Sequence, residues 1–170
     1  MGNNNSKYTI IRVTPTLDTN AYAAGDVIFN SVAIPNAVLG KGGCSKLVAA
    51  FVQSNNTTNL EFEIIFTENA ATFGTVNATA NISDADLRTA GILGYMACEA
   101  TDATTQFIDS SEIKRIYDSR STAASDTPQA DPILIQAASD STSSYFAVIG
   151  GGTITYAADD LQFIFHIERQ

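Results

Sequence analysis

The chain has 170 residues, of which 45% are hydrophobic and only 16% are charged. This length suits a single domain with a real hydrophobic core, and the low charged fraction means that neutral polar side chains must cover much of the surface. Eighteen acidic residues against nine basic ones give a formal net charge of −9 at pH 7. That balance argues against binding to nucleic acid or to an anionic membrane surface, because both need clustered Lys and Arg.

The start of the chain predicts a flexible polar tail over residues 1–7, followed by a single domain over residues 8–170. The first six residues have neither the basic start nor the apolar run of a secretory signal, so none is expected. Cys44 and Cys98 each have apolar neighbours in the sequence, which predicts two buried free thiols. A disulfide between them stays open, since two cysteines do not make a disulfide framework.

The first half of the chain contains short strand signals separated by turn residues. Strands are predicted over residues 8–14, 26–34, 44–54 and 60–66. The first two end at Pro15 and Pro35, because proline cannot continue a central strand. In the fourth, Leu60, Phe62 and Ile64 alternate with two glutamates, which is the pattern of a half-buried antiparallel strand.

The middle of the chain predicts one short helix near residues 84–90. Ser83 is placed to cap its N-terminus and Gly91 to end it. Strand character returns at 94–98 and 106–108, residues 109–116 are mixed, and the polar stretch 118–132 predicts a long loop. Strands are predicted again over residues 133–137, 145–149 and 161–167.

These signals add up to eight or nine short strands with at most one or two short helices. The lack of β–α–β alternation excludes a doubly wound sheet. Turns about every ten residues favour an all-β, antiparallel β-sandwich of jelly-roll-like or Greek-key type. The sequence alone does not predict the order of the strands.

The chemistry-bearing residues do not form a recognisable catalytic or metal-binding set. The single histidine, His166, has no partners at the spacing of a nucleophile triad or a zinc site, and we expect an ordinary, partly exposed strand histidine. The glycine-rich stretch 40–43 lacks the spacing of a phosphate-binding loop. Glu61 and Glu63 share a strand face as a glycosidase pair could, but the chain has no Trp to hold a sugar.

Two acidic clusters are weak candidates for calcium. One is Asp159 with Asp160, and the other combines Asp18, Asn20 and Asp26. Oxygen ligands suit calcium, yet both clusters lie where turns are expected. We therefore expect no metal, no cofactor and no enzymatic activity.

One cluster of positive charge contrasts with the acidic chain. Lys114, Arg115 and Arg120 are three of the nine basic residues, and they predict a patch that docks on an acidic partner surface. A solvated loop edge is the alternative interpretation.

Four segments, taken in order, resemble a group of tailed-bacteriophage virion proteins. The first is Thr14–Phe29, which contains LDTNAYAAGD before a strand. The others are the Gly42–Gly43 turn, the segment Asn81–Asp86 and the segment Gly150–Leu161. They cover most of the chain from residue 14 onward, while residues 100–132 form a longer insertion than that group shows.

The resemblance implies a capsid cement or decoration protein of jelly-roll type. Such a protein is made in the host cytoplasm, sits on the capsid exterior and binds the major capsid protein, here as a homotrimer. We expect the contacts with the shell to come from the tail and the basic patch, and the contacts between subunits to come from three aromatic residues. The expected shell contacts are Asn3, Asn5, Lys7, Lys114, Arg115 and Arg120, and the expected subunit contacts are Phe107, Tyr145 and Phe146. The alternative is a carbohydrate- or receptor-binding module of a phage head or tail fibre.

Overall fold

Twelve strands and one short helix account for the secondary structure of residues 7–55, 60–98, 106–108, 111–116 and 133–170, which the computed structural model describes. The strands are β1 (Tyr8–Val13), β2 (Ala21–Tyr22), β3 (Val27–Ile34), β4 (Cys44–Ser54), β5 (Phe62–Thr67), β6 (Ile92–Cys98), β7 (Gln106–Ile108), β8 (Ser111–Ile116), β9 (Ile133–Gln136), β10 (Ser144–Gly150), β11 (Ile154–Thr155) and β12 (Leu161–Arg169). The helix, α1, is Asp84–Ala90.

The strands form two main sheets, in which all pairings are antiparallel. The larger sheet has the order β1-β12-β4-β8-β7, with β9 also on β4. The free side of β4 is shared, because β9 pairs with residues 44–47 and β8 with residues 50–54. The smaller sheet has the order β3-β10-β5-β6, and β2 pairs with β11 in a separate ribbon.

This order is that of a jelly roll, in which the chain wraps back and forth between two four-stranded sheets. The strands β1, β12, β4 and β9 form one wall, and β3, β10, β5 and β6 form the other. Apart from the neighbours β5 and β6, successive strands of this set lie in opposite sheets. The predicted all-β, antiparallel sandwich is confirmed, and the β7–β8 hairpin is an addition beside β4.

A cluster of phenylalanine rings fills the space between the sheets. Phe163 and Phe165 of β12 face Phe146 of β10, with ring centroids 5.1 and 5.0 Å apart and edge-to-face geometry. Phe29 and Phe62 also contact Phe163 edge to face. Such contacts stabilise a core beyond the area they bury, so β12 is the strand on which the core is centred.

The predicted helix is confirmed, and so are its caps. Ser83 Oγ accepts a hydrogen bond from the Asp86 N–H at 3.2 Å, and Gly91 has a φ of 64°. Glycine adopts this left-handed conformation readily because it has no Cβ, which is why the helix ends there.

The prediction for the cysteines is wrong for Cys44. The two cysteines do not form a disulfide, and Cys44 is exposed whereas Cys98 is buried. Because Ser45 faces the core at the start of β4, the alternation of a strand places its neighbour Cys44 outside.

Candidate functional site

The outer faces of the two sheets differ in how much of the chain covers them. Over the smaller sheet, the segment between β5 and α1 packs Phe73 against Val27 and Ala147 in a second apolar cluster. The Val27 N–H donates to the Ala78 carbonyl at 2.9 Å, which holds the segment in place. The chain itself therefore covers the part of this face that β3 and β10 form, while Tyr95 on β6 is 49% exposed.

The outer face of the larger sheet instead presents large apolar side chains to solvent. Tyr8 is 61% exposed, Ile10 50%, Val48 43% and Leu134 61%. These residues come from three strands, β1, β4 and β9, so the exposure is a property of the whole face. Exposed apolar area that is contiguous, rather than scattered, is typical of an interaction surface.

The strand register arranges this face in cross-strand rows. In order along β12, from its C-terminal end, the rows are Tyr8 with Glu168, Lys46 and Leu134; Ile10 with His166 and Ala49; Arg12 with Ile164 and Phe51; and Gln162 with Gln53 and Ile113. A register shift near His166 sets Val48 between the first two rows. We name the large apolar side chains of the first three rows, together with Val48 and His166, the outer strip: Tyr8, Ile10, Val48, Phe51, Leu134, Ile164 and His166.

His166 lies at the centre of the outer strip. Its ring is 5.2 Å from that of Phe51 and tilted by 50°, and the side chain is half-buried, as predicted. Among the described residues, no group of three or more His, Cys, Asp or Glu side chains could hold a metal ion. The ring packs as part of the apolar surface.

An ion pair closes one end of the strip. Lys7 Nζ lies 2.7 Å from Glu168 Oε1, and the Lys7 carbonyl accepts a hydrogen bond from the Arg169 N–H at 2.7 Å. The hydrogen bond from Lys7 lowers the pKa of Glu168 below its usual range, and the same bond raises the pKa of Lys7. Lys7, expected in the polar tail, is thus attached to β12.

A polar cleft of about 230 Å³ lies at the other end of the strip. Its lining is Thr14, Gln53, Asn55, Asp159, Asp160 and Gln162. Gln162 Nε2 donates to Thr14 Oγ1 at 3.3 Å, while Asp160 Oδ2 accepts from the Ala157 N–H at 2.7 Å and so holds the turn before β12. The cleft can offer hydrogen bonds to a sugar, but its lining has no aromatic ring on which a sugar could stack.

The second acidic cluster is also used by a turn. Asp18 Oδ1 accepts from the Asn20 N–H at 2.8 Å, and Asp26 Oδ2 accepts from the Ala23 N–H at 2.7 Å. These are local turn hydrogen bonds of the kind that Asp side chains commonly make. The carboxylates thereby have a structural role.

Lys114, predicted to dock on a partner, is fully buried. It lies on β8 opposite Val52, and its Nζ donates to the Leu60 carbonyl at 3.2 Å. The prediction is therefore wrong for this residue. The reason is that residues 111–116 form a strand, so alternation turns this side chain toward the core.

Phe146, predicted to pack across a subunit interface, is also fully buried. It belongs to the ring cluster of the core, so it is not available to a second subunit. Tyr145, its neighbour, is half-buried and pairs with Ala33 and Thr67 on the smaller sheet.

The remaining predicted contacts are not tested by the described part of the chain. Asn3, Asn5 and Arg120 lie outside it. Phe107 and Arg115 lie on β7 and β8, and the roles predicted for their side chains stay predictions.

The outer strip was missed at the level of sequence, although a signal for it exists. In β12 the inward residues Phe163 and Phe165 alternate with Ile164 and His166, so the strand has no polar face at its centre. An apolar run of this kind is typical of a strand covered on both sides. In a strand of an antiparallel sandwich, such a run indicates that the outer face of the sheet packs against another protein surface.

Within the described residues, no helix has the length and apolar character needed to cross a membrane.

Comparison with known proteins found no matching family model, no matching curated protein and no matching solved structure.

Proposed function

We propose that the protein is a structural virion protein that binds the outer surface of a phage capsid and cements or decorates the shell. The observation that carries this proposal is the outer strip, an apolar surface on a sheet face that no described segment covers, whereas the chain itself packs over β3 and β10 of the other sheet. The resemblance of four segments to phage virion proteins supplies the biological setting. The jelly roll supports it too, because viral capsid domains are among those that use this fold.

The outer strip has the composition expected of a protein interface. Apolar rows occupy its middle, while the Lys7–Glu168 pair and the glutamine row lie at its two ends. Protein interfaces share this plan of an apolar centre within a polar rim. The proposed partner is the major capsid protein.

A homotrimer would strengthen such a contact without any change in the strip. Three copies linked to each other bind a lattice far more tightly than one copy, because each contact raises the local concentration of the next. A weak apolar contact per subunit is then sufficient to hold the protein on the capsid exterior.

A carbohydrate- or receptor-binding module is the second candidate, and the polar cleft is the observation that favours it. Jelly rolls are also found in lectins. The residues that line the cleft include amides and carboxylates but no aromatic ring. For that reason we rank this function below packing on a shell.

The test uses purified protein and phage heads from which it has been removed. We expect light scattering to show an oligomer, and we expect the protein to rebind the heads and raise their melting temperature. A monomer that binds glycans and leaves the heads unchanged would contradict the proposal.

Two variants locate the contact. Leu134→Asp places a charge in the outer strip, whereas Tyr95→Asp changes a similarly exposed residue, 49% against 61%, on the smaller sheet. We expect Leu134→Asp to weaken rebinding at least tenfold and Tyr95→Asp to leave it unchanged. Equal loss in both variants would exclude the outer strip as the contact.

A further inference from the structure

Strand β1 forms one edge of the larger sheet and carries few of the features that commonly protect an edge. It pairs with β12 over six residues without a register shift, and in the described part of the chain no strand pairs with its other side. Natural edge strands are commonly blunted by charged side chains, by Pro, by a bulge or by a covering segment. The sequence of β1, YTIIRV, has no Pro and a single charged residue, Arg12, next to its C-terminal end.

The corresponding edge strand of the smaller sheet, β3, is protected by a covering segment. That segment is the one that follows β5. The Ser31 N–H donates to the Ala71 carbonyl at 3.3 Å, and the Phe73 N–H donates to Asn30 Oδ1 at 2.7 Å. The two edges are therefore treated differently.

One hydrogen bond fixes which backbone groups of β1 point away from the sheet. The Lys7 carbonyl accepts from the Arg169 N–H, and antiparallel strands alternate between residues that pair with one neighbour and residues that point to the other. Thr9, Ile11 and Val13 therefore pair with β12, as Lys7 does. The N–H and carbonyl groups of Tyr8, Ile10 and Arg12 point outward from the edge.

The same three residues also carry their side chains on the outer face. Ile10 is 50% exposed and Arg12 is exposed, whereas Ile11 between them is only 8% exposed. An added strand that uses the outward backbone groups would thus bring its own exposed side chains beside these. The edge and the outer strip form one continuous surface.

We propose that β1 pairs antiparallel with β1 of a second copy of this chain, about a two-fold axis through Ile10. In this register Ile10 faces its own equivalent, and Tyr8 faces Arg12 of the other copy on both sides. Each of these three facing pairs exchanges two backbone hydrogen bonds. An arginine over a tyrosine ring is a favourable contact.

Neighbouring registers are less complementary. A shift by two residues places Arg12 opposite Ile10 in one direction and Tyr8 opposite Ile10 in the other, so Tyr8 no longer faces Arg12 in either. A shift by four in the first direction places two Arg12 side chains opposite each other. A shift by one residue would bring inner side chains to the outer face. The register through Ile10 is the one that pairs apolar with apolar and cation with aromatic.

Pairing would join the larger sheets of two copies, so that their outer strips form one apolar face. On a shell, neighbouring three-fold positions are related by local two-fold axes. This use of the pairing rests on the trimer proposed above, in which case contacts at β1 would link one trimer to the next. The pairing does not depend on the capsid proposal and is tested in solution.

The first test is a disulfide in the Cys44→Ser background, which removes the exposed native thiol. In the proposed register the two Ile10 Cα atoms are about 5.5 Å apart, which a disulfide can span. We expect Ile10→Cys to form a covalent dimer on mild oxidation. Arg12→Cys is the matched control, because its equivalents lie four residues apart along the strands, roughly 13 Å, and should stay unlinked.

Both outcomes are informative. Equal cross-linking at positions 10 and 12, or none at position 10, would overturn the register. The double variant Ile10→Cys/Arg12→Cys tests the register in which Arg12 faces Ile10. If that register forms, the double variant gives a covalent dimer and neither single variant does.

The second test is sedimentation velocity over a range of concentrations. We expect Ile10→Lys to weaken concentration-dependent association at least tenfold, since two lysines would face each other at the centre of the contact. Tyr95→Lys changes a residue of matched exposure, 49% against 50%, on the smaller sheet and should associate as the native protein does. The proposal is overturned if Ile10→Lys, with an unchanged circular dichroism spectrum, associates like the native chain.

Discussion

Phe163 is the residue on which the core depends most. Its ring contacts those of Phe29, Phe62 and Phe146 edge to face, and its side chain is fully buried. This one side chain of β12 thus contacts three strands of the smaller sheet, and Phe165 adds contacts with Phe66 and Phe146.

We expect Phe163→Ala to lower the free energy of unfolding by about 3–5 kcal/mol, which is the usual range for a buried aromatic ring. Urea denaturation followed by circular dichroism measures it. Phe51→Ala is the control, because Phe51 lies half-buried on the outer face and should cost clearly less. A smaller effect at position 163 than at position 51 would show that the core is not centred on β12.

Lys114 has a structural role in the core, which its charge did not suggest at the level of sequence. We expect Lys114→Met to lower stability by about 1–3 kcal/mol, because the buried Leu60 carbonyl loses its stronger donor and keeps only the Cys98 thiol at 3.7 Å. Shell binding should stay intact below the melting temperature. Lys46→Met, on the outer face, should change stability by less than about 0.5 kcal/mol. A Lys114→Met protein of native stability that no longer binds heads would restore the docking interpretation.

The Lys7–Glu168 pair should make stability depend on pH. Because the folded pKa of Glu168 is lowered by its hydrogen bond from Lys7, the pair stabilises the fold above the carboxyl's ordinary pKa. That contribution is lost as the pH falls through the lowered value. We expect Glu168→Gln to melt below the native protein near pH 7 and together with it near pH 2.

A double-mutant cycle separates the pair from other effects of the substitutions. Lys7→Gln should lower the melting temperature as Glu168→Gln does, and the double variant should add little to either. Additive losses, or a difference from the native protein that persists in acid, would show that the pair does not carry the effect.

At the scale of elements, α1 is stabilised by its caps more than by packing. It has seven residues, and only Ala90 is buried. We expect Ser83→Ala to destabilise the helix by about 1 kcal/mol, seen as faster amide hydrogen exchange across residues 86–90. Ser83→Asp keeps an acceptor for the Asp86 N–H and should exchange like the native protein; equal exchange in all three would contradict the capping role.

Elements with a strong local signal were predictable. The strand over residues 44–54 and the helix over residues 84–90 have the predicted bounds, because turn residues and caps fix them locally. The strand at 111–116 was not predicted, since its charged residues hide the alternation. Its identity comes from pairing with β4, about 60 residues earlier.

At the scale of the molecule, the sequence predicted a sandwich but not the order in which its strands pair. The alternation of Leu60, Phe62 and Ile64 shows that a strand has an inner face, and it does not say which strand lies beside it. The pairing of β1 with β12 joins the two ends of the described chain. Such long-range pairings depend on how all the core side chains pack together, and no local sequence pattern encodes that packing.

The candidate site was less predictable for a related reason. The sequence predicted contacts through charged and aromatic side chains, but two of these, Lys114 and Phe146, are buried in the structure. The outer strip becomes visible only when three strands are aligned, because its residues are far apart in the chain. A surface made of rows across a sheet has no sequence motif.

The central proposal is that the larger sheet packs by its outer face on a capsid exterior. Cryo-electron microscopy of virions that contain the protein tests it most directly. We predict density for the sandwich on the outside of the head, with Ile10, Phe51 and Leu134 turned toward the major capsid protein. A sandwich located on a tail fibre, or one whose larger sheet faces solvent while its polar cleft holds a glycan, would contradict the account.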